Sequence, residues 1–277
     1  AEDGIRDLVR SRGLGDVYKR QTERIQPSDL VYRGAFRLPD SPGTPDNVGW
    51  EWGGSAMTYY PNGDPAGDAD GYPGSLFGAG HDQTQYLSEV SIPVPVVSAA
   101  KDVNELNTAV SLQPFSNIRG SLYDHLDWEM PRVGLAYLPQ QGSQTTDKLY
   151  FSWAMHAPGN EQDAGATHGW CELDLAAPET AGIWQVGGYV KYVTSDYLFD
   201  IPQVWADTYT PGQYLVTGRY RDGGQGAQGP ALFATGPWND GDPPLPDLEV
   251  LSLLVSGSPS RLSAGFTGLE RDEGSGA

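Results

Sequence analysis

Residues 133–139 have the sequence VGLAYLP, and this run sets the pattern that decides the fold. Apolar and small residues build a short strand, and the proline at its end has no amide hydrogen for a sheet ladder, so the strand stops there. Two further strand candidates follow at 148–153 (KLYFSW) and 169–175 (GWCELDL). The stretch therefore predicts a strand, a turn, a second strand, a polar loop and a third strand.

The same pattern recurs on both sides of this stretch. An earlier copy begins at 54–61 (GSAMTYYP) and a later one at 204–211 (VWADTYTP), so that Pro61, Pro139 and Pro211 are spaced by 78 and 72 residues. Short strands repeated at such a spacing are typical of propeller blades, which bury their faces by stacking on one another. The sequence thus predicts an all-β fold, an irregular β-propeller of four-stranded antiparallel blades.

The number of copies leaves the completeness of this propeller open, because closed propellers have roughly four to eight blades. Either degenerate blades use strands at 30–38 and 115–123, or the propeller is incomplete. Residues 98–112 leave a similar choice. Val103 and Leu106 begin a helical stripe there, which predicts either a short helix or a surface loop.

Composition supports a folded β protein and narrows its partners. The 36 Gly and 22 Pro among 277 residues predict many turns and few helices, while 8 Trp, 15 Tyr and 7 Phe supply rings for a core. The 36 acidic and 17 basic residues give a net charge of −19. Phosphate binding needs clustered Lys and Arg, so nucleic acid is excluded as a partner, and no apolar run is long enough for membrane insertion.

The two ends of the chain differ in character from its middle. Residues 1–21 resemble translated sequencing-adapter sequence in the stretches AEDGIRD and SRGLGDVYKRQ, the alternative being an amphipathic helix. Residues 256–277 are rich in Gly, Ser and charges without an apolar period, which predicts a disordered or spurious tail. We therefore expect a non-native segment at 1–21, a propeller-like domain at 22–255 and this tail.

A resemblance points to the same fold. Residues 70–77 (DGYPGSLF), 80–82 (GHD) and 88–93 (SEVSIP) resemble uncharacterised bacterial exported proteins with a propeller-like repeat, and the likeness spans residues 30–240. It implies a β-propeller that is secreted or periplasmic. It supplies no catalytic residues to carry over.

The strongest local constellation is Gly80-His81-Asp82. Gly80 lets the chain turn after a strand, so that both polar side chains can face one rim. His81 as a general base or metal ligand, oriented by Asp82, would form a catalytic pair. The competing interpretation is a blade turn in which His81 bonds to the backbone.

A second cluster occupies residues 124–129, with the sequence DHLDWE. Asp127 and Glu129 are candidate catalytic carboxylates, because glycoside hydrolysis needs two carboxyl groups about 5–9.5 Å apart. An indole ring can stack on the apolar face of a sugar while carboxylates accept its hydroxyl hydrogens, so we expect a carbohydrate here. A solvated acidic loop is the alternative. The ligand-binding candidates are Asp124, His125, Trp128 and Trp153.

Two segments are candidates for metal sites. The oxygen-rich loop at 62–71 suits Ca²⁺, although its spacing does not fit an EF-hand and an exposed hairpin insertion is the simpler interpretation. His156 and His168 flank a polar loop whose carboxylates could complete a second site. The candidate calcium ligands are Asp64, Asp68 and Asp70.

These features favour an extracytoplasmic propeller that binds or processes carbohydrate. Two alternatives stay open: a non-catalytic propeller scaffold for protein or cell-surface interactions, and a metal-dependent hydrolase. The only cysteine, Cys171, lies in a strand pattern, which favours a buried structural thiol over a nucleophile. Fold does not decide function, so the sequence leaves open whether the chain is an enzyme.

Overall fold

Beta-strands account for most of the secondary structure in the computed structural model of the protein. The chain divides into two compact units, a smaller one of residues 1–36 and 95–107 and a larger one of residues 37–94 and 108–277. The predicted non-native segment and tail lie outside the described residues. The structure describes residues 26–41, 44–124, 131–142, 144–155, 166–186, 194–219, 231–236, 247–248 and 250–255.

The first sheet of the larger unit, sheet A, is an antiparallel meander in which each strand pairs with the next along the chain. Helix α1 (Gly67–Asp70) lies between its first two strands. Pro61 directly follows the first strand, as expected for a residue that cannot donate to the ladder. The strands are β1 (Met57–Tyr60), β2 (Gly71–Ala79), β3 (Leu87–Pro93) and β4 (Ser111–Ser116).

Sheet B repeats this arrangement. Four antiparallel strands again follow one another in sequence, and a short fifth strand, β12 (Asp247–Leu248), adds in parallel to the last of them. Pro139 follows the first strand, as Pro61 does in sheet A. The four strands are β5 (Pro131–Leu138), β6 (Lys148–Met155), β7 (His168–Cys171) and β8 (Ala181–Val186).

Sheet C is the third antiparallel sheet, in the order β9-β10-β11-β13. Helix α2 (Gln203–Tyr209) connects its first two strands. Among the described residues, neither this helix nor any other is long and apolar enough to cross a membrane. The strands are β9 (Tyr197–Asp200), β10 (Leu215–Arg219), β11 (Ala231–Thr235) and β13 (Val250–Val255).

These sheets confirm the mostly β character predicted from the sequence, but the predicted strand at 204–211 is wrong. That segment forms α2, and the first strand of sheet C is β9, which comes earlier in the chain. The helix covers one face of sheet C by burying Ala206 against Val216 and Ala234. The apolar residue Val204, which suggested a strand, is exposed to solvent.

Of the two predictions for residues 98–112, the short helix is wrong, because residues 98–110 form a mostly exposed loop. Only Val103–Glu105 makes a 3-10 turn, while the last residues of the segment belong to β4. Likewise, residues 30–38 contain isolated bridges at Ala35 and Arg37 instead of a strand. In the smaller unit, Ala35 and Val96 exchange two backbone hydrogen bonds of 3.0 and 2.9 Å, which fasten its two segments together.

Apolar side chains fill the space between successive sheets. Phe77 and Leu87 of sheet A pack with Leu135 and Leu149 of sheet B, and each such fully buried side chain contributes about 1.5–3 kcal/mol. A second layer joins sheets B and C. Sheet B is therefore covered on both faces. The second layer includes Tyr150, Trp170, Trp184, Leu198 and Phe233.

The first strands of the three sheets contact one another in sequence, β1 with β5 and β5 with β9. The amide of Tyr137 in β5 donates to Thr58 Oγ1 in β1 over 2.9 Å. On the other side, Gly134 lies so close to β9 that a Cβ atom there would be 2.6 Å from the carbonyl carbon of Tyr197. A residue without a side chain is what allows β5 and β9 to approach.

We expect Gly134→Ala to destabilise the protein by about 1–3 kcal/mol, because the added methyl group must push two packed backbones apart. Urea unfolding followed by tryptophan fluorescence measures this change. A loss below about 0.5 kcal/mol would contradict the close packing of β5 against β9.

Candidate functional site

Two connections leave sheet A from the same end. Leu87 at the start of β3 pairs with Ser116 at the end of β4. The turn at 80–86 precedes the first of these residues and the segment at 117–124 follows the second. Polar residues of both connections are thereby brought to one end of sheet A.

The segment at 117–124 continues to the equivalent end of sheet B. The hydroxyl of Tyr123 donates to the carbonyl of Thr167 over 2.8 Å, immediately before β7. At this end Pro131 of β5 also pairs with Met155 of β6. We call this region the shared edge; it comprises residues 44–56, 80–86 and 117–124 and the strand ends at Pro131, Met155 and His168.

Trp52 is the most exposed aromatic residue of the shared edge, with 82% of its surface accessible. Its backbone has a positive φ of 60°, which few residues other than glycine adopt, so the turn has to be held by its surroundings. The next glycine but one, Gly54, stabilises the turn, since its amide donates a hydrogen bond to the Ala79 carbonyl over 2.7 Å. Sequence analysis missed Trp52, because nothing in its pattern distinguishes an exposed indole from a buried one.

The loop that carries Trp52 rests directly on the turn at 80–86. A Cβ atom on Gly53 would be 2.5 Å from the carbonyl carbon of Gly80, so only glycine permits this approach. The Thr84 hydroxyl donates to the Asn47 carbonyl over 2.5 Å. These contacts pack the loop that carries Trp52 against the turn that carries the predicted His81–Asp82 pair.

His81 and Asp82 do lie together. Nδ1 of the largely buried imidazole is 3.2 Å from Oδ1 of Asp82, whose carboxylate is partly exposed. The same Nδ1 is 3.2 Å from the amide nitrogen of Gln83. Because Nδ1 donates when protonated and accepts when not, it can bond only one of these partners at a time. The contact with Asp82 fits the predicted pair, and the contact with the Gln83 amide fits the alternative in which His81 bonds to the backbone.

The second predicted cluster is described only at its start. Asp124 is exposed at the shared edge, whereas His125, Asp127, Trp128 and Glu129 lie outside the described residues. Trp153, predicted to bind ligand, is in the core. Its ring stacks on Tyr123 with a centroid distance of 5.6 Å, and the guanidinium of Arg119 lies 4.4 Å above it. Trp52, and not Trp153, offers an open indole surface.

The predicted calcium loop has one carboxylate that can be described. Oδ1 of Asp64 accepts a hydrogen bond from the amide of Ala66 over 3.2 Å, which is a local turn. Asp68 and Asp70 lie in α1, and their side chains are outside the described residues. Within the described part of the chain, no three His, Cys, Asp or Glu side chains are grouped to hold a metal.

His168 joins sheets B and C. Its Nδ1 is 2.8 Å from Thr167 Oγ1 and its Nε2 is 2.8 Å from Thr217 Oγ1 of β10. Burial lowers its pKa to about 3, so the imidazole is neutral and bonded through both nitrogens. His156, its predicted partner, lies outside the described residues. The contacts of His168 are those of a structural residue.

A buried ion pair lies close to this histidine. Nε of Arg219 is 3.3 Å from Oδ2 of Asp196, and the two side chains are 1% and 2% exposed. The hydroxyl of Tyr197 donates to the Arg219 carbonyl over 2.9 Å. Burial, followed by the nearby Asp196 carboxylate, raises the pKa of Tyr197 to about 12. Sheet C therefore contains charge that depends on internal pairing.

Sheet A contains a buried carboxylate that sequence analysis missed. Glu89 accepts hydrogen bonds from Ser75 Oγ over 2.5 Å and from Gln113 Nε2 over 2.7 Å. Gln113 also donates to the Leu173 carbonyl over 2.9 Å. These bonds occupy both carboxylate oxygens of Glu89 and orient Gln113, which links sheet A to the connection between β7 and β8. No sequence signal separated Glu89 from the exposed acids.

Cys171 is buried in β7, as predicted, and burial raises the pKa of its thiol far above the usual range. A thiol in this state is a poor nucleophile. Comparisons with protein-family models, with curated proteins and with solved structures found no match to this chain.

Proposed function

We propose that the three sheets of the larger unit are successive blades of an irregular β-propeller. Three observations support this arrangement. Within each sheet the first three strands pair in chain order, the first strands of successive sheets contact one another, and apolar layers join the sheets face to face. Connections at one end of such blades gather on a single surface, which is where propellers present their binding residues.

We further propose that this surface binds carbohydrate, outside the cytoplasm. The observation that carries the proposal is the open indole of Trp52, on a turn whose backbone packs against the turn that carries His81 and Asp82. Sugar rings have apolar faces that stack on such an indole, while carboxylates and imidazoles bond their hydroxyl groups. With its one cysteine buried and no disulfide to form, the fold does not depend on the redox state of its surroundings.

Trp52→Ala is expected to weaken oligosaccharide binding about tenfold, equivalent to about 1.4 kcal/mol. Because the side chain is exposed, its removal leaves the free energy of unfolding within about 0.5 kcal/mol of the original. Titration calorimetry with a panel of neutral and charged oligosaccharides measures the binding, and thermal unfolding measures the stability.

Trp205→Ala is the matched control. Trp205 is partly exposed on α2, which follows the end of β9. The opposite end of this strand, its start, lies toward the shared edge, so Trp205 is an exposed tryptophan away from that edge. The control should bind sugars like the original protein. Equal weakening by both substitutions, or no binding of any sugar by the original protein, would contradict the proposal.

One observation favours the alternative of a binding scaffold. Leu30, Val31 and Tyr32 are consecutive in the smaller unit and each is 65–71% exposed. Runs of exposed apolar residues commonly mark protein-binding surfaces. Substituting all three with serine should leave sugar binding unchanged, because the shared edge belongs to the larger unit.

A further inference from the structure

The charge of the shared edge narrows the class of carbohydrate that it can hold. Residues 44–56 and 80–86 contain Asp46, Glu51 and Asp82 and no lysine or arginine. Asp46 and Glu51 are exposed, and Asp82 is partly exposed. Backbone contacts between the two segments bring the residues that carry these carboxylates to the turn at Trp52.

The remaining described segment of the edge does not offset this charge. Residues 117–124 add the exposed carboxylate of Asp124 and a single cation, Arg119. The guanidinium of Arg119 lies 4.4 Å from the centre of the Trp153 ring, so its charge is already engaged with a core indole. The described part of the edge is thus strongly negative around an open aromatic surface.

Such a surface discriminates between sugars by charge. Carboxylates or sulfates on a glycan would be repelled, because charges within a Debye length of about 10 Å at 0.1 M salt still interact. A protonated amine is attracted by the carboxylates, and it also gains from lying over an indole face, the strongest partner for cations among the aromatic rings. An amino sugar can therefore contact the indole either through the apolar face of its ring or through its ammonium group.

We infer that the shared edge binds oligosaccharides carrying protonated amino groups, such as oligomers of glucosamine. This inference rests on the proposed carbohydrate-binding function and specifies its ligand. The sugar ring stacks on Trp52, and its ammonium groups are bonded by the carboxylates of residues 44–56 and 80–86. A neutral oligosaccharide keeps the stacking contact and loses the ionic ones.

Calorimetry with three oligomers of equal length tests this. The probes are a glucosamine oligomer, its N-acetylated form and an oligogalacturonate, at pH 6 and at two salt concentrations. We expect the glucosamine oligomer to bind about tenfold more tightly than the acetylated one at low salt, since several exposed charge pairs each contribute a factor of about two to five. The advantage should shrink at high salt, and the oligogalacturonate should not bind.

Asp82→Asn should weaken binding of the glucosamine oligomer about threefold and affect the acetylated oligomer much less, because the amide oxygen of asparagine still accepts a hydrogen bond from a hydroxyl group. Asp200→Asn is the control, because Asp200 is exposed at the far end of β9 and its removal changes the net charge equally. Trp52→Ala should weaken both oligomers.

The outcomes separate the inference from the function on which it rests. Equal or tighter binding of the acetylated oligomer would overturn the inference while leaving carbohydrate binding in place. Glucosamine binding that Trp52→Ala and Asp82→Asn do not change would also overturn it, because this would be adsorption to a protein of net charge −19. If none of the three oligomers binds but another sugar of the wider panel does, the inference is wrong; if no sugar of that panel binds either, the carbohydrate-binding function itself is wrong.

Discussion

Replacing Arg219 by methionine is expected to destabilise the protein by about 3–5 kcal/mol, the largest effect among the substitutions considered. The guanidinium and the Asp196 carboxylate are 1% and 2% exposed, so water cannot take the place of either. Removing the cation leaves a carboxylate with a solvation penalty that its partner no longer offsets. Methionine keeps most of the volume, which limits any contribution from a cavity.

Urea unfolding of Arg219→Met, Asp196→Leu and the double variant separates the ion pair from packing. If the charge left behind causes the loss, the double variant should be more stable than either single one, because it buries no unpaired charge. Additive losses would show instead that the two side chains act independently. A loss below about 1 kcal/mol in Arg219→Met would contradict the burial of the pair.

Acid should destabilise the protein through His168 well before most carboxylates are protonated. The unfolded histidine binds its proton near pH 6.5, whereas the folded one does so only near pH 3. The unfolded state therefore binds more protons between these values, and stability falls as the pH falls. The neutral imidazole contributes fully above pH 6.5; the expected loss is about 2 kcal/mol at pH 5 and about 3 kcal/mol at pH 4.

A non-titrating variant isolates this effect. The glutamine of His168→Gln can still form hydrogen bonds with Thr167 and Thr217, but its side-chain amide does not become protonated as the pH falls. The difference in unfolding free energy between the original protein and this variant should shrink steadily from pH 7 to pH 4, since carboxylate titration is common to both. A constant difference over that range would show that His168 is protonated equally in the folded and unfolded states.

Much of the strand pattern was predictable because it depends on local chemistry. Pro61 and Pro139 end β1 and β5 where a missing amide hydrogen requires it. Pro211 suggested the end of a strand, but the residues before it form a helix. Only Ala206 of that helix is buried, and one buried alanine fits a helix or a strand until its partners in sheet C are known. Tertiary contacts, which no local pattern contains, decided between helix and strand.

In the candidate site, too, local sequence predicted some features and tertiary packing decided the others. His81 and Asp82 are adjacent in sequence, so their proximity followed from a tight turn. Trp153 and Trp52 could not be told apart by sequence, since one is covered by Tyr123 and Arg119 and the other by nothing among the described residues. Exposure is a property of the assembled sheets, and only the structure separates a core indole from a binding surface.

The pairing of β12 and β13 has a consequence for how the protein is made. Residues 247–248 join sheet B and residues 250–255 join sheet C, whereas every other strand neighbour in the sheets is consecutive in the chain. Until these residues are synthesised, β8 and β11 present open ladder edges, and such edges recruit strands from other molecules. Nascent or truncated chains that lack residues 247–255 should therefore aggregate more readily than the full chain.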